Sequence, residues 1–250
     1  MAGHSKWAQI KRQKGVADAR RGALFTKLAR EITVAARQGG GDPDMNPRLR
    51  LAVERARDAN MPMDNIERAI KRGVGETDAA ALQEVTYEAY GPGGVAILIE
   101  ALTDNRNRTV ADIRSIFNKF GGSLAEAGAV TWLFDQRGVV VVGDVTPERA
   151  EELALLAIDA GAEDFRTQDG SLEVYADPSS LDAIRRALSE AGASVASAEI
   201  SMVPKSMTQL DERQAEHLLK LLDRLDELDD VQRVHSNAEF PDAVLAAYSA

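Results

Sequence analysis

The sequence predicts an α+β protein: a helical N-terminal domain plus two α/β domains, at least one of them ferredoxin-like (βαββαβ). Three observations predict it. Apolar residues recur at helical spacing through the first 75 residues. From Val85 the period becomes that of strands around a glycine-rich turn. Residues 138–204 then repeat a strand–helix–strand pattern twice, which is the split βαβ arrangement.

The elements follow in order. In GALFTKLAREITVAARQ, residues Leu24, Phe25, Leu28, Ile32 and Ala36 share one helical face, and Gly39-Gly40-Gly41 ends the helix. Pro47 suits the first turn of a second helix, because its missing N–H is unneeded there. That helix buries Leu49, Ala52, Val53 and Ala56 until Asn60-Met61-Pro62 breaks it. A third, DNIERAIKR, turns Ile66 and Ile70 inward and stops at Gly73.

VTYEAY and VAILIEAL then flank Gly91-Pro92-Gly93-Gly94 as two strands. A helix runs through Val110, Ile113, Ile116, Phe117 and Phe120 to Gly121-Gly122, and Val130 to Phe134 reads as a third strand. In the echo, GVVVV leads to Thr146-Pro147 and SLEVYA to Asp177-Pro178. Each pair is an N-cap followed by Pro at the first helical position. Further strands are expected near Phe165 and at AEISMV.

DERQAEHLLKLLDRLDELDD forms a helix with Leu218, Leu221, Leu222, Leu225 and Leu228 inward, and VQRVHS a strand. The leucine stripe is too short for a sustained coiled coil, so it packs on a sheet. The middle segment lacks a second helix, which this C-terminal helix and strand supply. The expected organisation is therefore 1–75 helical, 76–137 plus 205–240 a discontinuous α/β domain, 138–204 an inserted ferredoxin-like domain, and 241–250 a tail.

Charge divides along the same lines. Of 30 Lys+Arg and 40 Asp+Glu, residues 1–75 hold 16 and 8, a net of +8. The remainder, with 14 basic and 32 acidic residues, carries −18. Such segregation points the first domain at a polyanion, while the rest repels it and orients the encounter.

Other classes recede. There is no cysteine, hence no disulfide and no thiolate chemistry, which fits a cytoplasmic protein. No apolar run is long enough to span a bilayer, so no membrane partner is expected. The first 17 residues lack the apolar stretch of a secretory signal. A lone Ser5, with Gly3 and Gly15, argues against a mitochondrial transit helix. His4, His217 and His235 lack metal-ligand spacing and read as surface or cap residues. No nucleophile elbow, zinc-protease motif or dinucleotide fingerprint occurs, so neither an enzyme nor a cofactor is expected. A monomer is favoured over an oligomer.

Two stretches carry candidate contacts to nucleic acid. In the first, Lys6, Lys11, Arg12, Lys14, Arg20, Arg21, Lys27 and Arg30 each suit a phosphate. Trp7 among them either stacks on an unpaired base or anchors the N-terminal arm. The second is Asp104-Asn105-Arg106-Asn107-Arg108, where a strand gives way to a helix. Its arginines and amides suit phosphate or base-edge contacts. The alternative is a capped turn, with Asn107 or Thr109 starting the helix. Around the Asn60-Met61-Pro62 break a helix-turn-helix would aim Asn65, Arg68 and Lys71 at a major groove, with Asp64 and Glu67 crowding the phosphates.

Three stretches together resemble one family: AGHSKWAQIKRQKGVADARRGALFTKLAREI, NPRLRLAVERARDANMPMDNIERAIKRG and YEAYGPGGVAILIEALTDNRNRTVADIR look like the YebC family of probable transcriptional regulatory proteins. The resemblance covers nearly the whole chain. It implies a helical domain with two α/β domains, a cytoplasmic location and DNA binding. It also implies an alternative at the ribosome: mitochondrial relatives act as translational activators, and the family relieves stalls on proline-rich segments. The partner would then be rRNA or tRNA.

Overall fold

The computed structural model describes residues 18–75, 82–168 and 170–249. By its contacts the chain divides into two compact units, Met1–Leu133 with Ser206–Ala250, and Phe134–Lys205.

The first unit begins with three helices, α1 (Asp18–Gly39), α2 (Pro47–Asp58) and α3 (Met63–Gly73). Helix α1 packs against both others. Their core holds Leu28, Ile32, Leu49, Val53, Ala56 and Ile66. Asn46 caps α2: its side chain accepts from the Leu49 N–H at 3.1 Å and donates to the Ala35 and Gly40 carbonyls. Asn60, at φ +58°, makes the left-handed turn that ends α2.

At the crossing of α1 and α3, a Cβ on Gly73 would press into the Thr33 carbonyl oxygen and lie 2.6 Å from Ala36 Cβ. Gly73→Ala therefore forces the helices apart and destabilises the fold by about 1–3 kcal/mol, the usual cost of overpacking. Thermal denaturation checks this, and an unchanged melting temperature refutes it.

The same unit continues as a four-stranded sheet of β1 (Gln83–Tyr90), β2 (Ala96–Thr103), β3 (Ser123–Leu124) and β9 (Val231–Ser236). Their order across the sheet is β3-β1-β2-β9. Helices α4 (Arg106–Phe120) and α7 (Glu212–Asp226) pack together in its core with Ile97, Ile99, Ile113, Phe117, Leu218 and Leu222. The capping box of Asp211 and Gln214 starts α7. The β1–β2 turn needs glycine at Gly93, where φ is +73° and any Cβ would collide with the Leu210 side chain. Two short strands, β8 (Thr208–Gln209) and β10 (Ala238–Glu239), pair in parallel.

The second unit has the order β4 (Phe134–Val142), α5 (Pro147–Asp159), β5 (Ala162–Gln168), β6 (Ser171–Ala176), α6 (Leu181–Glu190), β7 (Val195–Pro204). Its sheet, β5-β6-β4-β7, is antiparallel throughout. That is the ferredoxin-like βαββαβ topology. Thr146 caps α5, while Asp177 caps a 3-10 turn that leads into α6.

Three expectations are corrected. Val130–Leu133 is not a strand, and Phe134 instead opens β4. Thr131–Leu133 is a 3-10 turn, because the Glu88 carboxylate takes the N–H groups of Gly128, Val130 and Thr131 that a ladder would need. The third strand is instead the two-residue β3, too short to leave a periodic signal. Residues 241–250 are not a plain tail: α8 (Asp242–Ser249) buries Val244 and Leu245, and the Tyr248 hydroxyl donates to Asp223 at 2.6 Å. His235 is a core residue, 2% exposed, with Nε2 3.6 Å from Glu100 Oε1.

Candidate nucleic-acid interface

Asp230 organises the described part of the candidate site. It follows α7 and is buried at 7% exposure. Helix α1 reaches it through Arg30, whose Nη1 also donates to the carbonyls of Leu102 (3.0 Å) and Asp229 (2.9 Å). Helix α4 reaches it through Arg108, whose Nη2 lies 2.8 Å from Asp230 Oδ2 and 2.8 Å from Asp104 Oδ1. The hydroxyls of Thr109 and Thr103 donate to Oδ2 at 2.7 and 3.2 Å. Burial alone would raise the Asp230 pKa, but hydrogen bonds from Arg108, Thr109 and Arg30, with the Arg30 charge, hold it at about 2. The carboxylate is therefore ionised throughout the physiological range.

Arg30 and Arg108, 78 residues apart in sequence, thus meet at one carboxylate. Asn105 is the N-cap of α4, accepting from the Arg108 N–H at 3.1 Å, so the helix starts at Arg106 rather than at Asn107 or Thr109. The local reason is Asn105's extended backbone and short amide, which satisfies a first-turn donor. The capping leaves Arg106 and Asn107 exposed beside the Arg30–Asp230–Arg108 cluster.

Other ion pairs fasten the helices to the sheet. Glu31 on α1 accepts from Arg55 on α2 and from Arg233 on β9, each at 2.9 Å. Burial works to raise its pKa, and the Arg55 and Arg233 charges bring it below the ordinary value. Arg233 continues to Glu100, 3.5 Å away. Glu84 on β1 meets Arg48 at 3.0 Å and Gln38 at 2.6 Å.

These contacts sort the sequence-selected residues. Lys27 is engaged by the carbonyl and carboxylate of Asp226, the latter at 3.5 Å, and its side chain is 11% exposed. Lys27, Arg30 and Arg108 serve the joint between helices and sheet. Carboxylates already hold all three: Asp226 pairs with Lys27, and Asp230 with Arg30 and Arg108. Arg106, Asn107 and Asn105 stand at the surface. Arg20 and Arg21 fall in the first turn of α1. Lys6, Trp7, Lys11, Arg12 and Lys14 lie outside the described residues. Arg37, Arg57, Arg68, Lys71 and Arg72 are also exposed on the helical part. Arg68 bonds within α3 to Asn65 (2.8 Å) and to the Asp64 carbonyl. Sequence reasoning missed Asp230 and Glu31. Each is one acid among 40, and only its partners distinguish it.

Among the described residues no group of His, Asp and Glu is placed to hold a metal ion. No helix there is long and apolar enough to cross a membrane.

The fold defines a class before any comparison: a basic helical part fastened by buried ion pairs to one α/β sheet, with a ferredoxin-like unit inserted in it. The chain belongs to the TACO1/YebC family. Residues 5–76 match the model of the TACO1/YebC protein N-terminal domain, and residues 82–238 that of the TACO1/YebC second and third domain. It is similar to a probable transcriptional regulatory protein of Dehalococcoides mccartyi, 54% identical over 99% of this chain and 98% of that one. One from Chloroflexus aurantiacus is 54% identical over the full length of both. The crystal structure of a conserved hypothetical protein from Aquifex aeolicus superposes with a TM-score of 0.82 at 46% identity, over 90% of this chain and 92% of that one.

Proposed function

We propose that the protein is a non-enzymatic, nucleic-acid-binding regulator of gene expression, acting on DNA in the cytoplasm as a transcriptional regulator. The observation that carries this reading is the net +8 of residues 1–75 against −18 in the remainder. The buried carboxylates neutralise only the cations at the joint, so the exposed ones remain available to phosphates. The names of the relatives, probable transcriptional regulatory proteins, support it. In this reading Lys6, Lys11, Arg12, Lys14, Arg20 and Arg21 take phosphates, and Arg106 with Asn107 extends the surface. Trp7 stacks on a base or anchors the arm.

A second reading, an RNA- or ribosome-binding translation factor, is favoured by one observation. Helix α3, which would enter a DNA groove, exposes Asp64 and Glu67 beside Arg68 and Lys71. Acids there repel a duplex backbone, whereas irregular RNA offers other approaches.

Crosslinking in cells, followed by sequencing of the bound nucleic acid, tests both. Discrete promoter sites are expected on the first reading and rRNA or tRNA on the second. Replacing Lys6, Lys11, Arg12 and Lys14 together by alanine is expected to abolish most recovery. It also flattens the slope of log affinity against log salt by about 0.7–0.9 for each phosphate no longer neutralised. An unchanged slope refutes the role of the arm.

A further inference from the structure

Trp132 is 65% exposed and Tyr90 is 40% exposed. Among the described residues of the β1–β2–β9 sheet and its helices, no other large apolar side chain is so exposed. Both polar handles end on the same atom. The Tyr90 hydroxyl and the Trp132 indole N–H donate to the Ala129 carbonyl at 3.2 and 3.1 Å. With those donors satisfied, what the two rings offer outward is their aromatic surface.

The loop that carries Trp132 is held rigidly. Glu88, 7% exposed, accepts the N–H groups of Gly128, Val130 and Thr131 at 2.6, 2.6 and 2.9 Å. A ring on so constrained a loop loses little freedom when it is covered.

What covers it is indicated by the neighbouring helix. Residues 76–250 carry −18, yet α4 bears Arg106, Arg108, Arg114 and Lys119 against the single acid Asp112. Arg106, Asn107, Arg114, Asn118 and Lys119 are exposed. The helix starts at the Asp230 cluster and ends against Tyr90: a Cβ on Gly122, just past its C-terminus, would press into the Tyr90 carbonyl oxygen. Fifteen residues cover roughly 22 Å at 1.5 Å each. At about 3.6 residues per turn, Arg106, Asn107, Arg114 and Asn118 share one flank of the helix between the candidate interface and the exposed aromatic pair, while Lys119 lies on the other. Two rings with few apolar neighbours are too small for a stable protein interface of about 800 Å² per partner. They match the face of a nucleobase.

The geometry points to a base-stacking platform: Trp132, seconded by Tyr90, stacks on an unpaired base of a single strand whose phosphates follow α4. This rests on the nucleic-acid reading above and adds to it that part of the target is unpaired.

The test uses the full-length chain and fluorescein-labelled 20-nucleotide oligo(dT), oligo(U) and a mixed-sequence duplex, read by anisotropy over a salt series. Trp132→Ala and Trp132→Leu are expected to weaken single-strand binding about 5- to 150-fold, the range for one stacked base. Trp132→Phe, which keeps a ring, stays within about threefold of wild type. The salt slope is unchanged in all three, because every phosphate keeps its cation, and duplex affinity is little affected. Preference between oligo(dT) and oligo(U) tells whether the unpaired strand is deoxy or ribo. Wild-type single-strand affinity in Trp132→Leu overturns the platform and leaves the nucleic-acid reading standing, as does wild-type binding to the duplex alone. A loss shared by duplex and single strand also overturns the platform. No binding to any of the three overturns both.

Discussion

Asp230→Ala lowers the unfolding free energy of the protein by about 3 kcal/mol. The carboxylate is buried and holds Arg30, Arg108, Thr103 and Thr109 from three separate elements. Removing it leaves the Arg30 guanidinium partly buried without its counter-charge, and breaking a buried pair from one side costs about 3–5 kcal/mol. The low end applies because the Arg108 side chain is 46% exposed and reaches water. Glu227→Ala is the comparison. Its pair with Arg224 lies at the surface, with both side chains more than half exposed, and costs under about 1 kcal/mol. Urea denaturation of both variants makes the measurement. A double-mutant cycle of Asp230→Ala with Arg30→Ala then separates their coupling from the rest. Equal, small losses in the two single variants would mean that Asp230 does not hold the helices to the sheet.

Acid is expected to unfold the protein steeply. Three carboxylates, Glu88, Glu100 and Asp230, have pKa values held down at about 2. For each, burial pushes upward, and the bonds made to the ionised form prevail. The groups that favour the ionised form are backbone N–H groups at Glu88, the neighbouring His235 and Arg233 at Glu100, and Arg108, Thr109 and Arg30 at Asp230. Each folded value lies below the ordinary one of 4.5 for Glu or 3.8 for Asp. Their stabilisation is therefore complete above the ordinary values and is lost as pH falls toward 2. Near pH 3 the unfolded chain binds up to three more protons at these sites than the native chain. Stability then drops by about 3–4 kcal/mol per pH unit. Urea titrations at closely spaced pH values from 5 to 3 measure the slope. Glu88→Gln removes one of the three protons and flattens it by about 1.4 kcal/mol per unit. A stability that is level from pH 5 to 3 contradicts the assignment.

Much of the architecture was legible because it is written in local periods. The stripe of Leu218, Leu221, Leu222 and Leu225 forms α7, and all four are fully buried. The Thr146-Pro147 and Asp177-Pro178 pairs start α5 and the turn before α6 because a cap and a proline act within one turn. The doubled strand–helix–strand pattern gives the ferredoxin-like sheet for the same reason. What escaped was whatever is too short to repeat: β3 and the parallel pair β8–β10 of two residues each, and the 3-10 turn at Thr131–Leu133.

The candidate interface was legible only as charge. Segregation of +8 from −18 needs nothing but counting, and it selects the end of the chain to examine. Which cations are spent inside the protein is a question of distance in space. Arg30 meets Asp230 across 200 residues of sequence and Lys27 meets Asp226 across 199. No spacing rule spans such a gap, because Coulomb attraction acts through a few ångströms of space and takes no account of chain order. The pattern of side chains along the sequence therefore determined the elements and the sign of each surface. Tertiary packing alone decided that Lys27, Arg30 and Arg108 hold the protein together, while Arg106 and Asn107 face outward.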